Sequence, residues 1–352
     1  MKSFEEFRQH LADSMGEQLE GLEERRLQMK SRKNWLGGIL VSIITVSWSI
    51  AYLGYMPNWA ILIVIALATP VIIIIYKKYY FDHDIPANFK DTVVRGLIEF
   101  VDPSLTYSPE DYVPYDDFQA SKLFLLRPDI YYGDDFIEGM VDGIPVSFSE
   151  LHVASEIKGK DPSKKGKIKK MFDGFFVVAD IPFTLKGDVY IMQNKLYKNM
   201  GHAGTLIQKH NFYRGKYVRP DNIDFRENFV VYADDLLEGE LILTEPFMQK
   251  MLKLKRYSKA KVYISIIGNK LYVAVNLDRE IFKIKMFQPL NRLGYLKSFY
   301  NDLYYMLTLI DDLNFDAFLE GASEQEAMDD FGRPEEGDPN LSDDPDLSDL
   351  FN

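Results

Sequence analysis

The sequence predicts an α+β fold: a pair of apolar helices near the N-terminus, then a strand-rich mixed domain, then a disordered acidic tail. Three observations predict it. Two apolar runs without a charged residue stand close together before residue 80. Short β-type segments and a few helical patterns then follow one another without strict βαβ alternation. From Asp316 the chain is mostly Asp, Glu, Gly, Pro and Ser, too poor in apolar side chains to offset the cost of ordering.

Residues 1–34 read as an amphipathic cytoplasmic helix. Phe4, Phe7, Leu11, Met15, Leu19, Leu22 and Met29 recur at three-, four- and seven-residue steps. The stripe predicts packing on the chain's own domain or, in a second reading, a coiled coil that makes a homo-oligomer.

The apolar runs are 35–55 and 59–76, together a predicted transmembrane hairpin over 35–76. At about 1.5 Å per residue each can cross a hydrocarbon core of roughly 30 Å, the second only just. Met56-Pro57-Asn58 between them forces antiparallel neighbours. Trp35, Tyr55, Trp59 and Tyr76 mark the four ends, where amphipathic rings prefer the headgroup level. Arg25, Arg26, Lys30, Arg32 and Lys33 precede the first run, and Lys77 and Lys78 follow the second. The uncharged turn and these basic flanks predict a multi-pass membrane protein with both termini in the cytoplasm. Nothing ionisable lies in either run, which argues for an anchor rather than an ion pathway. Gly37, Gly38 and Gly54 predict close helix packing.

Residues 86–313 form the predicted cytoplasmic α+β domain. A helix is expected over 87–101 and strands over 122–127, 144–148, 175–180, 188–193 and 228–233. The clearest hairpin is 261–267 with 270–276, closed by Gly268-Asn269. A last strand is expected over 282–286, and helices over 245–254 and 291–313. Two similar strand-rich lobes, 121–195 and 223–290, are one possible arrangement. Residues 316–352 are the tail.

The formal net charge of −12 belongs to that tail. Fifteen acids and one base lie from Asp311 onward, leaving 40 bases against 38 acids before it. The folded part is near neutral, so an acidic-protein argument does not apply to it. The chain has no cysteine, which excludes disulfides, thiolate catalysis and thiolate metal sites.

No HExxH, G-x-S-x-G, Walker or dinucleotide pattern is present. His202 and His210 share a glycine-containing stretch and read as exposed side chains rather than metal ligands. Ser149, Glu150 and His152 are adjacent, but strand alternation puts Ser149 and Glu150 on opposite faces. Asp134-Asp135 and Asp234-Asp235 read as turn residues. No catalytic residue, cofactor or metal is expected.

Lysines are more informative. Lys158, Lys160, Lys164, Lys165, Lys167, Lys169 and Lys170 crowd thirteen residues, and Lys253, Lys255 and Arg256 belong to a second basic cluster. These lysines read either as a plain solvated loop or, as the preferred functional reading, as a membrane-lipid contact, since beside an anionic leaflet each such charge gains about 1 kcal/mol; nucleic acid is an unlikely partner. In the tail, Leu347, Leu350 and Phe351 alternate with acids; the segment reads as a solubilising tail or, in the alternative, as a short docking motif for an unknown protein partner. The tail could also fold back on the lysines and compete with lipid.

Three stretches resemble the bacterial membrane proteins classed as domain of unknown function 3137: Tyr132-Gly133-Asp134-Asp135 through Gly139 with Ser149-Glu150-Leu151; Phe172-Asp173-Gly174 through Asp180; and Asn228 through Asp234, leading to Leu243-Thr244-Glu245-Pro246 and the Gly268-Asn269 hairpin. The resemblance implies a bacterial protein of the inner membrane with two N-terminal spans and an uncharacterised soluble domain, and supplies no catalytic residue. The expectation is a membrane-anchored interaction or scaffold module that docks on anionic lipid. Its alternatives are an enzyme acting on a lipid or membrane-protein substrate, or an accessory subunit of a larger membrane complex.

Overall fold

The computed structural model describes residues 3–82, 84–141, 143–157, 166–194, 214–258, 261–277, 282–284, 286 and 288–311. The expected tail therefore lies outside the described residues, as do His202 and His210. Ser3 opens the first helix, α1 (Phe4–Tyr52), with a capping box: its hydroxyl accepts from the Glu6 amide, and Glu6 accepts from the Ser3 amide at 2.6 Å. The amphipathic segment and the first apolar run are thus one unbroken helix. The second helix, α2 (Ala60–Ile75), returns beside α1 and continues as a π-helical turn over Tyr76–Tyr80.

After Phe81 the chain re-enters a helix, α3 (Asp84–Phe89), a π-helical turn (Lys90–Val94) and α4 (Arg95–Val101). This stretch runs antiparallel to α1. Phe7 meets Phe100 at 5.6 Å, Met15 lies against Gly96, Arg25 pairs with Asp82 at 2.8 Å, and the Arg32 guanidinium covers the Tyr80 ring. The α1 stripe is consumed within the chain: Phe7, Leu11, Leu19 and Leu22 join the main core.

Among the described residues nine strands form one antiparallel sheet. In chain order they are β1 (Thr106–Ser108), β2 (Ile130–Val141), β3 (Ile144–Ile157), β4 (Lys167–Asp180), β5 (Val189–Gln193), β6 (Lys216–Val218), β7 (Phe229–Ala233), β8 (Lys261–Ile267) and β9 (Lys270–Asn276). Their order across the sheet is β1-β2-β3-β4-β9-β8-β5-β7-β6. The strands of 121–195 and 223–290 interleave in this sheet, so they are not two lobes. The β8–β9 hairpin has the expected limits, while β3 and β4 run far beyond theirs.

Two expected strands are absent among the described residues. At 122–127 the backbone is irregular, with Lys122 at φ 50°. The Arg214 guanidinium takes the carbonyls of Lys122 and Leu123 at 3.1 and 2.8 Å, so a side chain replaces a strand partner. At 282–286, Phe282 plugs the core against Phe299 at 5.5 Å instead of pairing in the sheet. Conversely, β2 carries too many polar residues to show period-two alternation, and the sequence did not reveal it.

Both faces of the sheet are covered. Phe148, Phe175 and Val177 belong to a core shared with α1, the 84–101 helix, α8 (Glu245–Ser258) and α9 (Leu293–Asp311). Among the described residues three short helices accompany these: α5 (Tyr115–Ala120), α6 (Ile223–Asn228) and α7 (Leu236–Ile242). Leu151, Val153, Phe172 and Phe176 face the other way, beneath Val113, Phe118 and Leu123.

Candidate functional site: a carboxylate and histidine cluster under the 84–101 helix

The cluster arises from an interruption of β2. Asp134 pairs with Glu150 and Ile137 with Phe148, so Asp135 and Phe136 stand opposite Ser149 alone. The extra residue makes a bulge, and Asp135 adopts φ 58°, a region acids tolerate better than most side chains. Asp134-Asp135 is therefore a strand bulge and not the expected turn. Asp235 does keep a terminal role, as the N-cap of α7.

The bulge aims both acids at Lys90. Its Nζ lies 2.6 Å from Asp134 Oδ2 and 2.8 Å from Asp135 Oδ2, and the Tyr107 hydroxyl donates to Asp135 Oδ1. Burial pushes the Asp135 carboxyl up to about 6, against the opposing pull of Lys90. Burial by itself would lower Lys90, but the charge of Asp135 and the bonds to both acids raise it, so the ammonium stays charged. Burial and the Asp135 charge also push the Tyr107 hydroxyl up, so it remains a donor.

Glu150 and His152 project from β3 on the same side. Asp173, opposite His152 on β4, bonds His152 Nδ1 at 2.6 Å, while His152 Nε2 faces Glu150 Oε1 at 3.9 Å. Ser149 points to the opposite face, where its hydroxyl accepts from the Val113 amide at 3.0 Å. The face separation expected for Ser149 and Glu150 is what the strand produces.

These residues open on a cleft of about 280 Å³, closed on its apolar side by Pro86 and Phe282. Ligand atoms of Glu150, His152 and Asp173 lie within 4.8 Å of one another, as do those of Asp134, Asp135 and Glu150. Either set could hold a cation. The chain supplies cations of its own: Lys90 on the two aspartates and Lys170 on Asp173. The arrangement thus fastens the 84–101 helix to the sheet through charge. Sequence patterns did not expose it, because Lys90 is 44 and 45 residues from its partners.

Apart from Lys170, which pairs with Asp173, the described residues of the two basic clusters lie away from this cleft. Lys167, Lys169 and Lys170 are exposed at the outer end of the β3–β4 hairpin, beside exposed Ile157 and Ile168. Lys158, Lys160, Lys164 and Lys165 lie outside the described residues. Lys253 and Arg256 are exposed on α8, but Lys255 is turned inward, with Nζ 2.8 Å from Asn228 Oδ1 and over the Phe229 ring. Four strand spacings of about 4.8 Å separate β4 from β7, so the fold does not join the two clusters. Leu347, Leu350 and Phe351 lie outside the described residues.

Comparison with curated proteins gives no match. The crystal structure of the mycobacterial trehalose monomycolate transport factor A, TtfA, is similar at 10% identity over 64% of this chain and 97% of that one, with a TM-score of 0.30. At that score the likeness bears on neither fold nor function. Residues 170–315 match a family described as protein of unknown function. The match takes in the second and third of the three resembling stretches, and the bulge cluster, apart from Lys170 and Asp173, precedes it. The matched segment, from β4 to just beyond α9, is the part of the chain that is similar to the family DUF3137.

Proposed function

We propose that the chain is a membrane-anchored interaction module: α1 and α2 form a transmembrane hairpin, both termini are cytoplasmic, and the β3–β4 hairpin docks on the anionic leaflet. Support for the anchor begins with exposure. α1, and α2 together with its continuation to Tyr80, are long and apolar enough to cross a bilayer, α2 buries no residue, and Trp35, Trp48, Leu62 and Leu67 are each more than 60% exposed. Such a surface is not stable in water. Ser42, Thr45, Ser47 and Ser49 each donate to the carbonyl four residues earlier, which satisfies their hydroxyls without water.

Two contacts support the docking reading, because they order the β3–β4 hairpin against the helix that leads back to the anchor. Lys90 lies level with Asp134, and Pro86 shares the cleft with His152. Moving from Lys90 toward α2 is therefore moving from Glu150 toward Ile157. From the level of Lys90, near residue 20 of α1, to Trp35 is about 23 Å of helix. From Glu150 to Ile157 is about 23 Å of strand. These matched lengths support a hairpin tip, with exposed Ile157 and Ile168 beside Lys167, Lys169 and Lys170, that meets the leaflet near Trp35.

The native chain has no cysteine, so Ile168→Cys places a single environment-sensitive dye at that tip. With the full chain in nanodiscs, emission shifts to the blue in anionic but not neutral lipid. Salt reverses the shift, and Lys167→Gln, Lys169→Gln and Lys170→Gln together abolish it. Equal emission in both lipids refutes docking.

A second reading, an enzyme acting on lipid or a membrane protein, is favoured by the His152, Glu150 and Asp173 set at the cleft. It requires that His152→Ala abolish a turnover the wild-type chain shows.

A further inference from the structure

We infer that the groove between α1 and α2 at the basic end of the anchor binds one anionic phospholipid. This rests on the anchor reading above and adds a specific site to it. The groove measures about 570 Å³, within the range of small-molecule sites. Leu36 and Gly37 of α1 and Ile72 and Ile73 of α2 form its walls. Lys33 and Lys77 stand at its mouth, each four residues from a wall residue and so on the same helix face. An acyl chain fits the apolar walls, and a phosphate fits two ammonium groups above them. Basic pockets between spanning helices recognise anionic headgroups in this way.

Two further observations point to a ligand. Tyr76 lines the groove, and its hydroxyl is shielded from solvent yet has no hydrogen-bond partner among the described residues. A phosphate or ester oxygen beside Lys77 would accept that proton. Phe81 holds the Tyr76 ring edge-on at 6.2 Å, so the hydroxyl is positioned before anything binds. Gly37 is the second observation. A methyl group built on it meets no atom within 4 Å, so this glycine does not bring the helices together as its sequence context suggests. It leaves space at the groove instead. Two lysines favour an anionic lipid over a zwitterionic one.

The test is native mass spectrometry of the full chain from mild detergent, with phosphatidylglycerol or phosphatidylcholine added. Wild type retains one phosphatidylglycerol per chain and does not retain phosphatidylcholine. Gly37→Leu, whose Cβ meets no atom within 4 Å, and the pair Lys33→Gln with Lys77→Gln each weaken retention about tenfold or more. Tyr76→Phe weakens it less. Equal retention of the two lipids overturns the inference, and so does Gly37→Leu retaining lipid like wild type. A dimer that Gly37→Leu dissolves assigns the groove to a second copy and also overturns it. Carbonate extraction separates this failure from that of the anchor. A chain released from membranes by carbonate loses both readings, whereas a chain that stays without lipid selectivity loses only the groove.

Discussion

Lys90→Met removes the ammonium shared by Asp134 and Asp135 while keeping most of the side chain's length. The Lys90 side chain is 17% exposed and that of Asp135 only 2%, so water cannot replace the lost partner at Asp135. Asp134 is 40% exposed and recovers hydration. Breaking a buried pair by removing one member costs about 3–5 kcal/mol, and the exposed Asp134 argues for the lower end, about 3 kcal/mol. For a domain of this size that lowers Tm by about 6–12 °C. The pH dependence has a definite sign. Asp135 holds its proton more tightly folded, at about 6, than at its ordinary 3.8. Its contribution is therefore fully present below 3.8 and is lost as pH rises through about 6, some 3 kcal/mol at ~1.4 kcal/mol per unit. Without Lys90 the folded carboxyl rises further, so the gap between variant and wild type widens from about pH 5 to about pH 7.5. Thermal and urea unfolding of the full chain in detergent at these pH values reads both quantities. Asp135→Asn in the Lys90→Met background regains most of the loss, because no buried charge remains. A loss under about 1 kcal/mol, unchanged across pH and not rescued, refutes the charge fastening of helix to sheet.

Gly174→Ala is expected to destabilise by more than about 1 kcal/mol, since φ is +150° and the new Cβ would stand 2.3 Å from the Val275 carbonyl oxygen; unchanged urea unfolding contradicts this. Ser149→Ala leaves the buried Val113 amide without its acceptor, a loss of about 1–3 kcal/mol by thermal unfolding. Lys255→Gln lowers stability by about 1 kcal/mol and leaves the dye shift at residue 168 unchanged, because its Nζ serves Asn228 rather than lipid. A reduced shift with full stability would return Lys255 to the lipid-contact set.

The sequence by itself determined what depends on local pattern. The α+β class, the two apolar helices and the β8–β9 hairpin follow from periodicity, absence of charge and turn residues. Thr244 accepting from the Phe247 amide at 3.4 Å at the start of α8 is legible in the same way. Only the tertiary structure decided what depends on distant partners. The α1 stripe met Phe100 and Tyr300, far along the chain, and became core. Segment 122–127 lost its strand to Arg214, 91 residues away from Leu123. Asp134-Asp135 became a buried ion-pair site because Lys90 waits across the bulge. Spacing in sequence records neighbours a few residues apart, whereas pairing of charges is set by which surfaces the fold presses together, and that choice is made by the whole apolar pattern at once.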